Sequence, residues 1–301
     1  MSQSELTIDS EHHGMRLDVF LAKALEEAPS RTFVKRLIDE GFVLVDDKQV
    51  KAHQKVLEGQ KVSVDIPEDF IKPMDVAPEN IPLDIFYEDE RLAVVNKPVG
   101  MIVHPTTSVF HGTLVNALLY HCQQLSDVNA KFRPGIVHRL DQETSGLILI
   151  AKDNKAHEKL ARQFAEHTVK KRYVALVEGD VEFEEGLIDA PLGRHPIHRE
   201  KRDVNYSDEG KDSVTFYKVI KRVPKVTMVA LFPQTGRTHQ LRVHMAHIGH
   251  PILGDQKYGR KLSFPRLALH AQSIGFTHPS TGHYVEFSST PPKEFLDRMS
   301  S

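Results

Sequence analysis

The residues best equipped for chemistry crowd into one stretch, GIVHRLDQETSGLILIAK, from Gly135 to Lys152. His138, Arg139, Asp141 and Glu143 lie there between two apolar runs. Leu147 to Ala151 is a continuous apolar run of the kind that forms a buried strand. The polar cluster therefore falls in a loop leading into a core strand. A loop fixed by a rigid element is where reactive groups are usually held. Asp141 is the acid at the centre, with a cation two residues before it and Thr144-Ser145-Gly146 just after it. A lone loop aspartate more often caps a turn. What sets this one apart is the company it keeps further along the chain.

Two other constellations compete with it. Asp141 and Glu143 are two apart, a spacing that points both side chains the same way on an extended segment. Such an acid pair would suit a glycosidase acting on free sugars. His239, His244, His247 and His250 are closely spaced in a chain with 18 histidines, and zinc sites use such spacings. That run contains no acid and no HExxH arrangement. Structural or surface histidines are the better reading, and no metal site is expected.

The elements that must position these groups fit a chain of 301 residues, for which two domains are the natural expectation. The formal net charge of −2 gives no overall support to a nucleic-acid partner, so any such case rests on local patches. Cys122 is the single cysteine. That excludes an internal disulfide framework and fits a reducing, cytoplasmic setting. No apolar run approaches the ~20 residues of a membrane span. The first residues, MSQSELTIDSEHHG, are acidic and polar and do not read as a signal peptide. Monomer is the default state, because no exposed coiled coil or long apolar edge is evident.

Residues 14–68 read as a small α+β unit. Leu17, Phe20, Leu21, Ala24 and Leu25 have helical spacing. Ser30 is the expected N-cap of a second helix, whose apolar face is Phe33, Val34, Leu37 and Ile38 and whose stop is Gly41. Arg31, Lys35 and Arg36 fall on the opposite, solvated side. A strand at Phe42–Val45, a turn at Asp46-Asp47-Lys48 and a strand at Lys61–Ile66 follow. Residues 69–82, with Pro73, Pro78 and Pro82, read as a semi-rigid linker. Residues 83–301 form the large domain. Strands interspersed with a few helices, without strict alternation, predict an α+β fold with a mixed or mainly antiparallel sheet. Two of those strands, Val214–Ile220 and Lys225–Phe232, read as a hairpin through Pro224. Basic loops gather at Gly193–Arg202 and Lys218–Lys225.

The order of motifs carries a resemblance. RLDVFLAKAL, SRTFVKRLIDEGFVLVDD and VLEGQKVSVDIP together resemble the RNA-binding domain named after ribosomal small-subunit protein four. NKPVGMIVHPT, HRLDQETSGL, KKRYVALVEG and TGRTHQLRVHM…GHPILGD…YG then occur in sequence and resemble the RluA family of pseudouridine synthases, most of all its RluD-type members. The resemblance runs from Gly14 to Pro292 and is loosest over residues 181–225.

The resemblance implies isomerisation of uridine to pseudouridine in RNA, with no cofactor, metal or redox step. By the match of motifs, Asp141 is the catalytic aspartate, Arg242 the arginine that pairs with it, and Tyr173 the tyrosine that stacks on the base. Arg139 matches the arginine that fills the gap left by a flipped base, and His138 and Leu241 shape the pocket. In the small domain Arg31, Lys35 and Arg36 become phosphate contacts, which supply affinity and not base specificity. The RluD-type likeness points to large-subunit (23S) ribosomal RNA or a pre-ribosomal particle as partner. The same chemistry on tRNA or another rRNA site, or a non-catalytic ribosome-assembly factor, is the alternative.

Overall fold

The computed structural model describes residues 2–25, 31–67, 76–106, 109–128, 133–198, 200–260 and 264–300. Two compact units divide between Asp75 and Val76. The smaller begins with strand β1 (Ser2–Thr7), followed by helices α1 (Leu17–Ala24) and α2 (Arg31–Asp39) and strands β2 (Val43–Val45), β3 (Lys48–Gln49) and β4 (Lys61–Ile66). Its sheet runs β1-β4-β2-β3, antiparallel throughout. Leu17, Leu21, Val34, Leu37 and Ile38 pack onto Val43, Val62, Val64 and Ile66, which face inward from the sheet. Gly41 ends α2 at φ +87°, where Phe42 N–H can return to Leu37 O at 2.9 Å. Asp46 and Asp47 both take positive φ and turn β2 back into β3. The polar N-terminus carries no strand signal in the sequence, yet β1 pairs along the whole of β4. The expected cap Ser30 lies outside the described residues.

The larger unit carries strands β5 (Asp84–Glu88) and β6 (Leu92–Lys97), helix α3 (Leu114–His121), strand β7 (Ser145–Ala151), helix α4 (Asn154–Ala165) and strand β8 (Lys170–Glu178). Strands β9 (Glu185–Asp189), β10 (Leu192–Arg194), β11 (Arg202–Val204), β12 (Val214–Val223) and β13 (Val226–Pro233) come next. Helix α5 (Gln240–His247), strands β14 (Leu269–Thr277) and β15 (Tyr284–Ser288), and helix α6 (Lys293–Arg298) complete it. Nine strands form one sheet in the order β5-β6-β7-β14-β8-β13-β12-β9, with β15 on β14. Among the described residues, only the β7–β14 pairing is parallel. The α+β class and the mainly antiparallel sheet are as the sequence predicts, and so is the β12–β13 hairpin. Of the expected linker, residues 69–75 lie outside the described residues. Residues 76–82 run along the larger unit, where Asn116 donates to Ala77 O at 2.9 Å and accepts Glu79 N–H on its own carbonyl.

Strand β7 is buried along its whole length. Ile148 and Ile150 face a core that includes Leu114, Val115 and Leu118 of α3. Leu147, Leu149 and Ala151 face the opposite core, with Leu160 and Phe164 of α4. Thr113 caps α3 through a reciprocal box with Asn116, and Asp153 caps α4 by accepting Ala156 N–H at 3.0 Å. With both faces covered, β7 is a rigid base for the loop that feeds it.

Candidate active site

The loop before β7 is pinned from three directions. His138 Nε2 accepts the Leu149 N–H at 2.9 Å, and its ring stacks on Phe164 at 4.6 Å. Burial, helped by the charge of Lys171, lowers its pKa to about 3, so the ring stays neutral and keeps its lone pair for that bond. Lys97, fully buried at the end of β6, donates from Nζ to the carbonyls of Pro98, Met101 and Gln142 at 2.9, 2.8 and 3.2 Å. Gly100 N–H also donates to Gln142 O at 2.9 Å. The residue after Asp141 is thereby stitched to the NKPVG loop. Burial and the charge of Arg266 lower Lys97 to about 7, against the attraction of Asp141. At Gly146 φ is +114°, and a Cβ there would run into the backbone of Ala271 on β14. Only glycine lets the two parallel strands meet so closely.

Asp141 stands at the surface of this construction, 19 % exposed. Arg242, on α5, lies beneath it and is 2 % exposed. The arginine's main partner is Asp255, which the motifs do not single out. Nε and Nη2 of Arg242 donate to the two Asp255 oxygens at 2.7 Å each. Nη2 also comes within 3.1 Å of Glu143, while Nη1 is 3.8 Å from Asp141 Oδ2. The expected Arg242–Asp141 pairing is therefore an ion pair without a hydrogen bond, and Arg242 serves three carboxylates. Burial alone would weaken the guanidinium's hold on its proton, but Asp255, Asp141 and Glu143 outweigh it and raise the pKa. Burial would likewise raise Asp255, but Arg242 and the backbone N–H groups of Lys257 and Tyr258 hold it below the usual carboxylate range.

Tyr173, on β8, is partly buried and packs against both adjoining cores. Burial and the charge of Asp141 push its pKa up, so the phenol is neutral. Arg139 is exposed beside the aspartate loop, and Leu241 is buried in the core under α5. In the small unit Arg31, Lys35 and Arg36 are exposed, and each meets an acid. Arg31 donates to Asp18 at 2.9 and 3.0 Å, Lys35 lies 3.0 Å from Asp39, and Arg36 lies 2.8 Å from Glu40. Burial would raise Asp18, but hydrogen bonds from Arg16 and Arg31 prevail and lower it.

Three residues that the sequence did not mark out, Lys97, Asp255 and Tyr258, complete the large-unit site together with His239, which the sequence offered only as one of the clustered histidines. Lys97 sits in NKPVG and Asp255 and Tyr258 in GDQKYG, so the motifs contained them without revealing their contacts. Three of the four clustered histidines go to separate tasks. His239 meets Tyr258 at 2.8 Å, His244 meets Thr215 and Ala190 O at 2.9 and 3.0 Å, and His250 meets Glu178 O at 2.9 Å. Among the described residues no three His, Cys, Asp or Glu side chains converge as metal ligands, and no helix is long and apolar enough to cross a membrane.

This geometry offers a carboxylate reachable from solvent, a buried cation beneath it and a neutral phenol nearby. Comparison with known proteins gives it a context. Residues 91–247 match the RNA pseudouridylate synthase family, and residues 15–62 match the S4 domain. An uncharacterized RNA pseudouridine synthase of Bacillus subtilis is 44% identical over 299 residues, covering 99% of this chain and 97% of that protein. The ribosomal large subunit pseudouridine synthase D of Zymomonas mobilis is 42% identical over 311 residues, covering 98% of this chain and 96% of that one. The solved structure of human RNA pseudouridylate synthase domain containing 1 superposes with a TM-score of 0.59 at 29% identity, covering 73% of this chain and 87% of its own.

Proposed function

The chain belongs to the RNA pseudouridylate synthase family, and from that premise we propose that it modifies large-subunit ribosomal RNA in the cytoplasm with Asp141 as the reacting carboxylate. It is an isomerase. In the reaction the bond between the ribose C1′ and uracil N1 breaks, the uracil turns, and C1′ bonds to C5. The C5 proton is lost and N1 gains one, so nothing is consumed. A carboxylate can stabilise an oxocarbenium-like sugar, attack it, or take a proton from it. The observation that carries the assignment is the contrast between a partly exposed Asp141 and a buried Arg242 3.8 Å away. The guanidinium supplies positive charge without blocking the carboxylate's outer face.

The other roles follow from position. Tyr173, neutral and partly buried, offers its ring to the base. A uridine inside a helix must be flipped out to reach Asp141, at a cost of a few kcal/mol for unstacking. Arg139, exposed beside the loop, has the planar guanidinium that suits the vacated stack. The S4 domain and the relatives named for the ribosomal large subunit favour ribosomal RNA over tRNA. Lys35 and Arg36 reach phosphates by exchanging their surface carboxylate partners, which are cheap to leave.

Pseudouridine mapping tests this reading, on deproteinised large-subunit rRNA and on bulk tRNA incubated with pure protein. New pseudouridine in rRNA is the expected result. Modification of tRNA alone would contradict the substrate assignment. Tight RNA binding with no modification of either, nor of an immature large subunit, would favour an assembly factor.

A further inference from the structure

Two of the groups around Asp141 have no part in the chemistry so far. His239 precedes α5 at φ +58°, ψ +17°, in the left-handed region, and its side chain makes no cap hydrogen bond. A non-glycine residue persists there when its surroundings over-determine it. Tyr258 does the holding. Its hydroxyl lies 2.8 Å from His239 Nδ1, and the rings meet edge to face with centroids 5.6 Å apart. Tyr258 is itself fixed, because its N–H donates to Asp255 at 3.1 Å and the Arg242 guanidinium lies 5.3 Å from its ring centre.

The groups on either side of the His239 ring favour one place for its proton. Tyr258 Oη accepts the Arg202 backbone N–H at 2.8 Å. The phenol's proton is then free to point to His239 Nδ1, while the Asp141 carboxylate on the other side of the ring favours a proton on Nε2. Burial keeps the imidazole neutral, lowering its pKa to about 4 against the pull of Asp141. A neutral imidazole that accepts at Nδ1 carries its proton on Nε2. Nε2 is 4.0 Å from Asp141 Oδ2, the same oxygen that Arg242 Nη1 approaches at 3.8 Å. Two donors thus face one carboxylate oxygen from just beyond hydrogen-bond range, and such contacts tighten when substrate binds.

We propose that His239 is a positioning residue for Asp141: its Nε2–H, with Arg242, anchors Oδ2 and leaves Oδ1 free for the sugar. Tyr258 sets the tautomer. Because Arg202 begins β11 of the basic hairpin, the position of that hairpin is tied to the carboxylate through Tyr258 and His239. The inference rests on Asp141 being the reacting carboxylate.

The test combines single-turnover kinetics on the RNA that wild type modifies with 15N-histidine NMR of the full chain. His239→Ala is expected to slow turnover by at least about tenfold, with RNA affinity kept within about twofold. His239→Gln, which restores an N–H donor, is expected to recover part of the rate. Tyr258→Phe is expected to slow turnover and to release His239 into mixed tautomers. In wild type, the resonance lost on His239→Gln should be protonated at Nε2. An Nδ1-protonated His239 in wild type overturns the proposal even where a variant fails to fold. A His239→Ala rate equal to wild type overturns it as well, with the reading of Asp141 left standing. Failure of wild type to modify any RNA overturns that underlying reading instead.

Discussion

In the small unit the buried member of the arginine–aspartate pairing is the acid, and in the large unit it is the arginine. Asp18 is 4 % exposed and is closed by Arg16 and Arg31, both about half exposed. It accepts four hydrogen bonds from them, which occupies both carboxylate oxygens. In the large unit Arg242 is the submerged partner, with Asp255 locked to two of its nitrogens from within. Its remaining edge faces outward, towards Asp141 and Glu143. A carboxylate enclosed by cations is a clasp between helices. A carboxylate resting on a buried cation keeps its outer face for a substrate. On the proposed reading of Asp141, the same two residue types give structure or reactivity according to which of them is submerged.

The sharpest way to break this contrast is to remove the submerged arginine. Arg242→Met leaves the Asp255 charge buried with only its backbone donors, and the large unit should lose ~3–5 kcal/mol in urea unfolding. A loss below about 1 kcal/mol would mean that the pair is not the foundation described here.

Acid separates the two units next. Folding lowers His138 to about 3 and His239 to about 4 from the ordinary 6.5. The unfolded chain therefore takes up these protons first as pH falls. Their stabilising contribution is full above pH 6.5 and is lost progressively towards pH 4. Asp18 is held below its ordinary 3.8, so its contribution persists above that pH and fades only below it. Hydrogen exchange should find β7 losing protection between pH 6.5 and 4 while β4 holds, and equal loss in both strands would contradict the assignment.

Smaller effects sharpen the picture inside the small unit. Arg31→Ala leaves Asp18 with Arg16, so thermal unfolding should report a loss of ~1 kcal/mol. Lys35→Ala with Arg36→Ala should change stability by less than ~0.5 kcal/mol. The double variant should also flatten the salt dependence of RNA binding by roughly two units of slope. If all three cations behave alike, the division between clasp and phosphate contact fails.

How much of this could be read from the sequence depended on how local the physics was. Strand β7 was legible because both of its faces are covered, which leaves an unbroken apolar run. Helix α2 was legible because one face is covered, which leaves a 3.6-residue period. Strand β1 was hidden, since its exposed residues made the N-terminus look merely polar, and its existence depends on β4 more than fifty residues away. Strands β10 and β11 are three residues each, too short for any period. The matched motifs supplied Asp141, Tyr173 and Arg242, and the structure brings Asp141 and Arg242 to 3.8 Å. They did not reveal that Asp255 is the arginine's first partner, or that Lys97 is buried under three carbonyls, because tertiary contacts alone decide both.

The most direct test of the central claim is single-turnover pseudouridine formation by Asp141→Asn on the RNA that wild type modifies, alongside circular dichroism of both proteins. Asp141 is partly exposed and makes no hydrogen bond to Arg242, so the variant should keep the wild-type spectrum while its rate falls at least ~1000-fold. A native spectrum with undiminished turnover would show that the reacting carboxylate lies elsewhere.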